Sequence, residues 1–133
     1  MFLNQLTPLE KEAFVSLGVN AAKANGEFAT EERAMIKEYC KEMEIPFFDA
    51  EEAKTADDIE SVFKTSTESH KRIALFELLG LMVADGSYDN MEKDFVLDFA
   101  TKVGLSENDI YKLYELLKKY LDLVKEISEE IIR

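Results

Sequence analysis

The chain has 133 residues, enough for one ordinary domain with a real core. Hydrophobic residues make up 47% of it, which excludes a disordered polymer, and its five Gly and two Pro are too few for the many turns of an all-β fold. The net charge of −12 repels phosphate backbones and anionic membrane surfaces, so nucleic acid is excluded as a partner while cationic partners, metal ions among them, remain.

Thr7-Pro8 with Glu10 three residues after Thr7 is a capping box with proline at the first helical position. Ala13, Phe14, Leu17, Ala21 and Ala24 follow at helical spacing, and Asn25-Gly26 stops the helix. A second helix is predicted from about Thr30 to Glu44, with Met35, Ile36, Tyr39, Cys40 and Met43 inward and Ile45-Pro46 as its end. Cys40 is the single cysteine, so neither a disulfide within the chain nor a multi-cysteine zinc cluster can form. Its place on the apolar stripe predicts an inert core residue. Between Phe47 and Thr67 the pattern is less regular. It accommodates short helices around Asp49–Lys54 and Asp57–Lys64, the second capped by Thr55 and Asp58.

A long helix is predicted over about Glu68 to Asp85. It is apolar nearly all round, which places it in the middle of a core. Its apolar run, Ile73 to Ala84, is broken by Glu77 and too short to cross a bilayer, so no membrane insertion is expected. Met1-Phe2-Leu3-Asn4-Gln5 has neither the basic region nor the apolar core of a signal peptide, and the expected location is the cytoplasm. After Gly86 a helix runs from about Asp89 or Asn90 to Val103, with Phe95, Val96, Phe99, Ala100 and Val103 inward and Gly104 as its stop. Ser106 with Asp109 opens the last helix, about 107–132, which contains no Gly or Pro. There Leu113, Leu117, Tyr120, Val124, Ile127 and Ile131 recur at heptad spacing. Such a stripe either packs on its own domain along a wide face or protrudes to pair with a partner or a second copy.

Shifted by sixty residues, the chain overlies itself. Ala24-Asn25-Gly26-Glu27-Phe28 falls on Ala84-Asp85-Gly86-Ser87-Tyr88, Glu32-Arg33 on Glu92-Lys93, and Ile45-Pro46 on Leu105-Ser106. The inward residues of the second helix fall on those of the helix before Gly104. The sequence therefore predicts an all-α bundle of about six to seven helices in one domain, 1–133, built from two helix hairpins, about 13–45 and 73–105.

Each hairpin turn carries oxygen donors: Asn25, Glu27 and Glu32 in the first, Asp85, Asp89 and Glu92 in the second. Two readings of them stand side by side. Asp89 and Glu92 have the spacing of a capping box, and a glutamate in a first turn suits the helix dipole. The same oxygens suit a hard cation such as calcium or magnesium, and Asn25, Glu32, Asp85 and Glu92 could share one if the hairpins pack about a pseudo-twofold axis. The turn is not an EF-hand loop: Gly86 directly follows Asp85, and Val96 stands where that loop needs its last glutamate.

Ala84-Asp85-Gly86, with an acidic residue seven positions after the aspartate and apolar helices on both sides, resembles the TerB family of tellurite-resistance-associated domains. That family is also related to the N-terminal part of a membrane-anchored DnaJ-type co-chaperone. The resemblance covers roughly Leu9 to Leu117. It implies an all-helical fold, a link to stress resistance, and a divalent cation held by acidic residues at these turns, here Asp85 and Glu92 in the second repeat and Asn25 and Glu32 in the first. Asn25 departs from the family's usual aspartate; it keeps a carbonyl oxygen but loses a charge, which weakens the first half-site.

Catalysis finds little support. His70 is the lone histidine, with Thr67 three residues before it, so the paired Glu-x-x-His of a diiron bundle is absent. There is no Gly-x-Ser-x-Gly elbow and no glycine-rich phosphate loop. An enzyme would have to activate water on a metal held by the acidic turns. The expectation is a non-enzymatic stress-response module that binds a divalent cation at the two turns. Its alternative is a metal-free protein–protein scaffold using the apolar edge of the last helix, with Phe47 and Phe48, to hold an unidentified protein or a second copy.

Overall fold

The computed structural model describes residues 1–24, 30–47, 52–84 and 88–133. After a 3-10 turn at Leu3–Gln5, the described residues form six α-helices and no strand: α1 Pro8–Ala24, α2 Thr30–Met43, α3 Ala56–Lys64, α4 Glu68–Met82, α5 Asn90–Val103 and α6 Glu107–Ile132. Helix starts follow the capping residues. Thr7 and Glu10 exchange backbone-to-side-chain bonds at 2.8 and 3.3 Å ahead of α1. Thr55 and Thr67 accept the amides of Asp58 and His70. Asp89 with Glu92, and Ser106 with Asp109, close full capping boxes.

One expected boundary differs. The helix predicted to reach Asp85 ends at Met82, where Val83 leaves helical geometry (φ −92°, ψ 1°) and the Ala84 amide bonds back to Leu81 in a tightened last turn. Of the segment expected as a helix around Asp49–Lys54, residues 49–51 lie outside the described part, and Glu52 is in 3-10 conformation. Lys54 after it is tied to α1: its amide donates to Ser16 Oγ at 2.9 Å, and Asn20 donates to its carbonyl at 3.2 Å.

α1 and α4 pack against each other, with α2 and α3 on α1, α6 on α4, and α5 against both. The central place of α4 matches its all-round apolar pattern. α1 is equally deep, since Val15, Val19 and Ala22 are buried along with the predicted Ala13, Phe14, Leu17 and Ala21. Helices crowd it from several sides, and Gly18 permits the approach: a Cβ there would meet Leu81 and Ile36 side chains at 3.4–3.5 Å.

The sixty-residue correspondence extends into the packing. Ile36 and Val96, Cys40 and Ala100, and Met43 and Val103 are all buried at matching positions. The two helix ends match bond for bond. Ile45 and Leu105 donate back to the Cys40 and Ala100 carbonyls, and Glu44 and Gly104 donate to those of Lys41 and Thr101. Each is a Schellman stop with its key residue left-handed, φ 58° at Glu44 and 93° at Gly104.

Candidate functional site

Of the four oxygen-donor residues predicted at the turns, Glu32 and Glu92 fall within the described residues, while Asn25 and Asp85 lie outside them. Glu32 and Glu92 sit at equivalent places in the first turns of α2 and α5, and they are 6% and 2% exposed. Burying a carboxylate at both places is costly unless each is held by donors or a cation. Part of the answer at Glu92 is the capping box: its Oε1 accepts the Asp89 amide at 3.1 Å, and its own amide donates to Asp89 Oδ1 at 2.8 Å. Tyr88 stands beside it, packed on Tyr114 of α6 with ring centroids 5.3 Å apart and ring planes 34° apart. Burial, then Tyr114 and Glu92, push the Tyr88 hydroxyl up to about 12. Among the described residues no three His, Cys, Asp or Glu side chains are grouped as a metal would need.

The lone histidine has a structural partner. His70 Nδ1 lies 2.7 Å from Oε1 of the buried Glu10, and Ser66 Oγ donates to the other carboxylate oxygen. Burial alone would raise the Glu10 carboxyl. Bonds from Ser66, the Thr7 amide and His70 outweigh it and hold the group below the ordinary glutamate range. Here the carboxylate lies between Ser66 and His70, so the group clamps the start of α1 to the α3–α4 connection.

Glu77, the charge that interrupts the apolar run of α4, is buried and holds the start of the chain. Its Oε2 accepts the N-terminal ammonium at 2.7 Å and the Phe2 amide at 3.0 Å, while Glu42 takes the same ammonium and the Leu3 amide. This fixes Phe2 edge-on to Phe76 of α4, with centroids 6.1 Å apart. Phe2, Ile73 and Phe76 then face Leu113, Leu116 and Tyr120 of α6 across an open apolar groove of about 530 Å³, with Ser69 and Arg72 also in its lining. Neither the groove nor the anchoring role of Glu77 was foreseen. A charge inside an apolar helix was the available signal, because it demands a buried partner. That partner lies 75 residues away in sequence, beyond any local pattern.

The last helix gives the clearest departure from a wide packing face. Ile110, Leu113, Tyr114 and Leu117 pack on the core, yet Leu117 is the final buried residue of the chain. Tyr120, Leu121, Leu123, Val124, Ile127, Ile131 and Ile132 continue the stripe and are exposed, Leu123 at 55%, Ile127 at 49% and Ile131 at 76%. Phe47, expected to join this edge, is half-buried with Lys37 over its ring at 5.4 Å; Phe48 lies outside the described residues. Cys40 is buried and its thiol is pushed up by burial, as expected of an inert core residue. No described helix is long and apolar enough to cross a membrane.

A protein-family model described as tellurite resistance protein TerB matches residues 11–115, from the first helix into the sixth. No curated protein and no solved structure matches the chain.

Proposed function

The chain belongs to the TerB family, and from that premise we propose that it is a non-enzymatic, tellurite-resistance-associated module of the cytoplasm whose work is docking. The surface it offers is the uncovered stripe of α6 together with the groove between α4, the N-terminal segment and α6. One observation carries the reading: the apolar seam that packs α6 onto the bundle runs on past Leu117 and is exposed there. Single exposed apolar residues are ordinary, but a contiguous stripe that borders an apolar groove marks an interaction surface. An amphipathic helix as partner fits both parts.

The test is complementation under tellurite challenge in a strain of the source organism that lacks the gene. The intact chain restores growth, and a folded Leu123→Glu/Ile127→Glu variant does not. Full rescue by that variant removes the docking role.

A second reading, favoured by the burial of Glu32 and Glu92 at matching places, is a divalent cation bound at the repeat turns. Their oxygens suit calcium or magnesium. Asn25 and Asp85 would complete the set, the cation supplying charge neutralisation that locks the two hairpins together. A thermal melt decides it. Saturating calcium or magnesium raises the midpoint over EDTA, by about 2.7 kcal/mol of stability at a hundredfold excess over Kd, and Glu32→Gln/Glu92→Gln abolishes the rise. An unchanged midpoint in the intact protein rules this reading out.

A further inference from the structure

We propose that the partner on this surface is a second copy of the chain, paired antiparallel through α6, with the partner's Ile131 seated at the groove beside Leu116 and Tyr120. This rests on the docking reading above and names its occupant.

Charge along α6 selects the arrangement. Between residues 112 and 125, Lys112, Lys118, Lys119 and Lys125 stand against Glu115 and Asp122, a net of +2. Between 126 and 133, Glu126, Glu129 and Glu130 stand against Arg133, a net of −2. Antiparallel pairing about an axis between Leu123 and Val124 lays the negative residues 126–133 on the partner's 114–121, where Lys118 and Lys119 outnumber Glu115, and parallel pairing lays like on like. The bodies of the two molecules reinforce the choice. The whole chain carries −12, and its residues from 107 on carry seven acids and five bases, so residues 1–106 carry −10. Parallel pairing would set two such bodies side by side. Antiparallel pairing keeps them at opposite ends of a shared helical rod of about 24 Å (residues 116–131 at about 1.5 Å each), well beyond the screening length of about 8 Å at physiological salt.

The apolar positions agree with that direction. With the twofold axis between Leu123 and Val124, Leu116 faces the partner's Ile131, Tyr120 faces the partner's Ile127 and Leu123 faces the partner's Val124. Every layer is apolar on both sides. The same register brings Lys119 beside the partner's Glu130 on one flank of the seam. Leu116 and Tyr120 belong to both the stripe and the groove lining, so the groove extends the seam at each end. This matters because a rod of about two heptads is short for a stable coiled coil, and the groove adds the area that a specific contact needs.

Sedimentation velocity of the full chain over a dilution series tests the pairing, and single cysteines test its direction. Cys40 is buried and stays out of mild oxidation. A reversible dimer is expected, weakened at least tenfold by Ile127→Glu. Val124→Cys, next to the axis, links to itself. Tyr120→Cys alone does not, but an equimolar mixture of Tyr120→Cys and Ile127→Cys does. A monomer at every concentration overturns the proposal, as does a dimer indifferent to Ile127→Glu, or self-linking of Tyr120→Cys as strong as that of Val124→Cys. The two readings fail separately: a monomer whose stripe variant still loses tellurite rescue docks a different protein, whereas a stripe variant that rescues fully has no docking role.

Discussion

Glu44 and Gly104 occupy the same place in the two repeats and adopt the same left-handed backbone, yet only one of them is glycine. A side chain in that conformation carries strain of about 1 kcal/mol that glycine escapes. Opposite outcomes are therefore expected at matching sites. Glu44→Gly should stabilise the protein by about 0.5–1 kcal/mol, the relief of strain being partly offset by a freer unfolded chain. Gly104→Ala should cost about 1 kcal/mol, although a Cβ there would meet only the Lys71 ammonium, at an ordinary 3.7 Å. Urea melts of both variants check the pair, and equal effects of the same sign would contradict the assignment. Glu10 makes a different prediction. Its carboxyl is held below the unfolded value of 4.5, so its stabilisation is present above that pH and is lost as pH falls through the lowered folded value. Glu10→Gln should cost about 1–2 kcal/mol at neutral pH, because Ser66, the Thr7 amide and His70 lose a charged acceptor. The gap from wild type should narrow as the solution is acidified past the ordinary glutamate value. A gap that stays constant on acidification would show that Glu10 acts by shape alone.

Among the elements, what could be read from the chain was whatever depends on neighbours within a few residues. Thr7 with Glu10, Thr55 with Asp58, Asp89 with Glu92, and Ser106 with Asp109 were all legible, and each opens a helix as expected. The heptad of α6 was legible as well. Where that helix parts from the bundle was not, because the parting is set by where α4 and α5 stop in space rather than by any residue of α6. The same limit hides the groove, whose walls come from both ends of the chain, and the shared burial of Glu32 and Glu92, which depends on packing rather than on their neighbours in sequence. A consequence follows for α6 itself. From Lys118 to Ile132 nothing buries it, and an isolated helix of about fifteen residues is marginal in water. Dilute protein should show fast amide exchange beyond Lys118 while α1 and α4 exchange only through global opening. Removing residues 123–133 should leave the bundle's stability within about 0.5 kcal/mol of the full chain. Strong protection of the distal amides at concentrations where the chain is monomeric would mean that the bundle covers the stripe after all.

At the scale of the whole molecule, the two hairpins divide the sequence but not the core. α1, from the first repeat, touches α4 and α5 of the second as well as α2 and α3. Its Phe14, Val15, Val19 and Ala22 are buried on several sides at once. Strip away everything after Ser66 and α1 keeps cover from α2 and α3 alone, while the Glu10 clamp loses His70. A fragment of about sixty-five residues already buries only about 60% of the surface its unfolded chain exposes. With one side of its central helix open, it cannot recover the conformational entropy of folding. Residues 1–66 alone should therefore show weak helicity and no cooperative melt by circular dichroism, whereas the full chain should lose α1, α4 and α5 in a single transition. A fragment that melts sharply, or a full chain that melts in two steps separable by Gly104→Ala, would make the hairpins independent units. In that case a cation or partner at one turn could not stabilise the other, because coupling between the repeats requires the core they share.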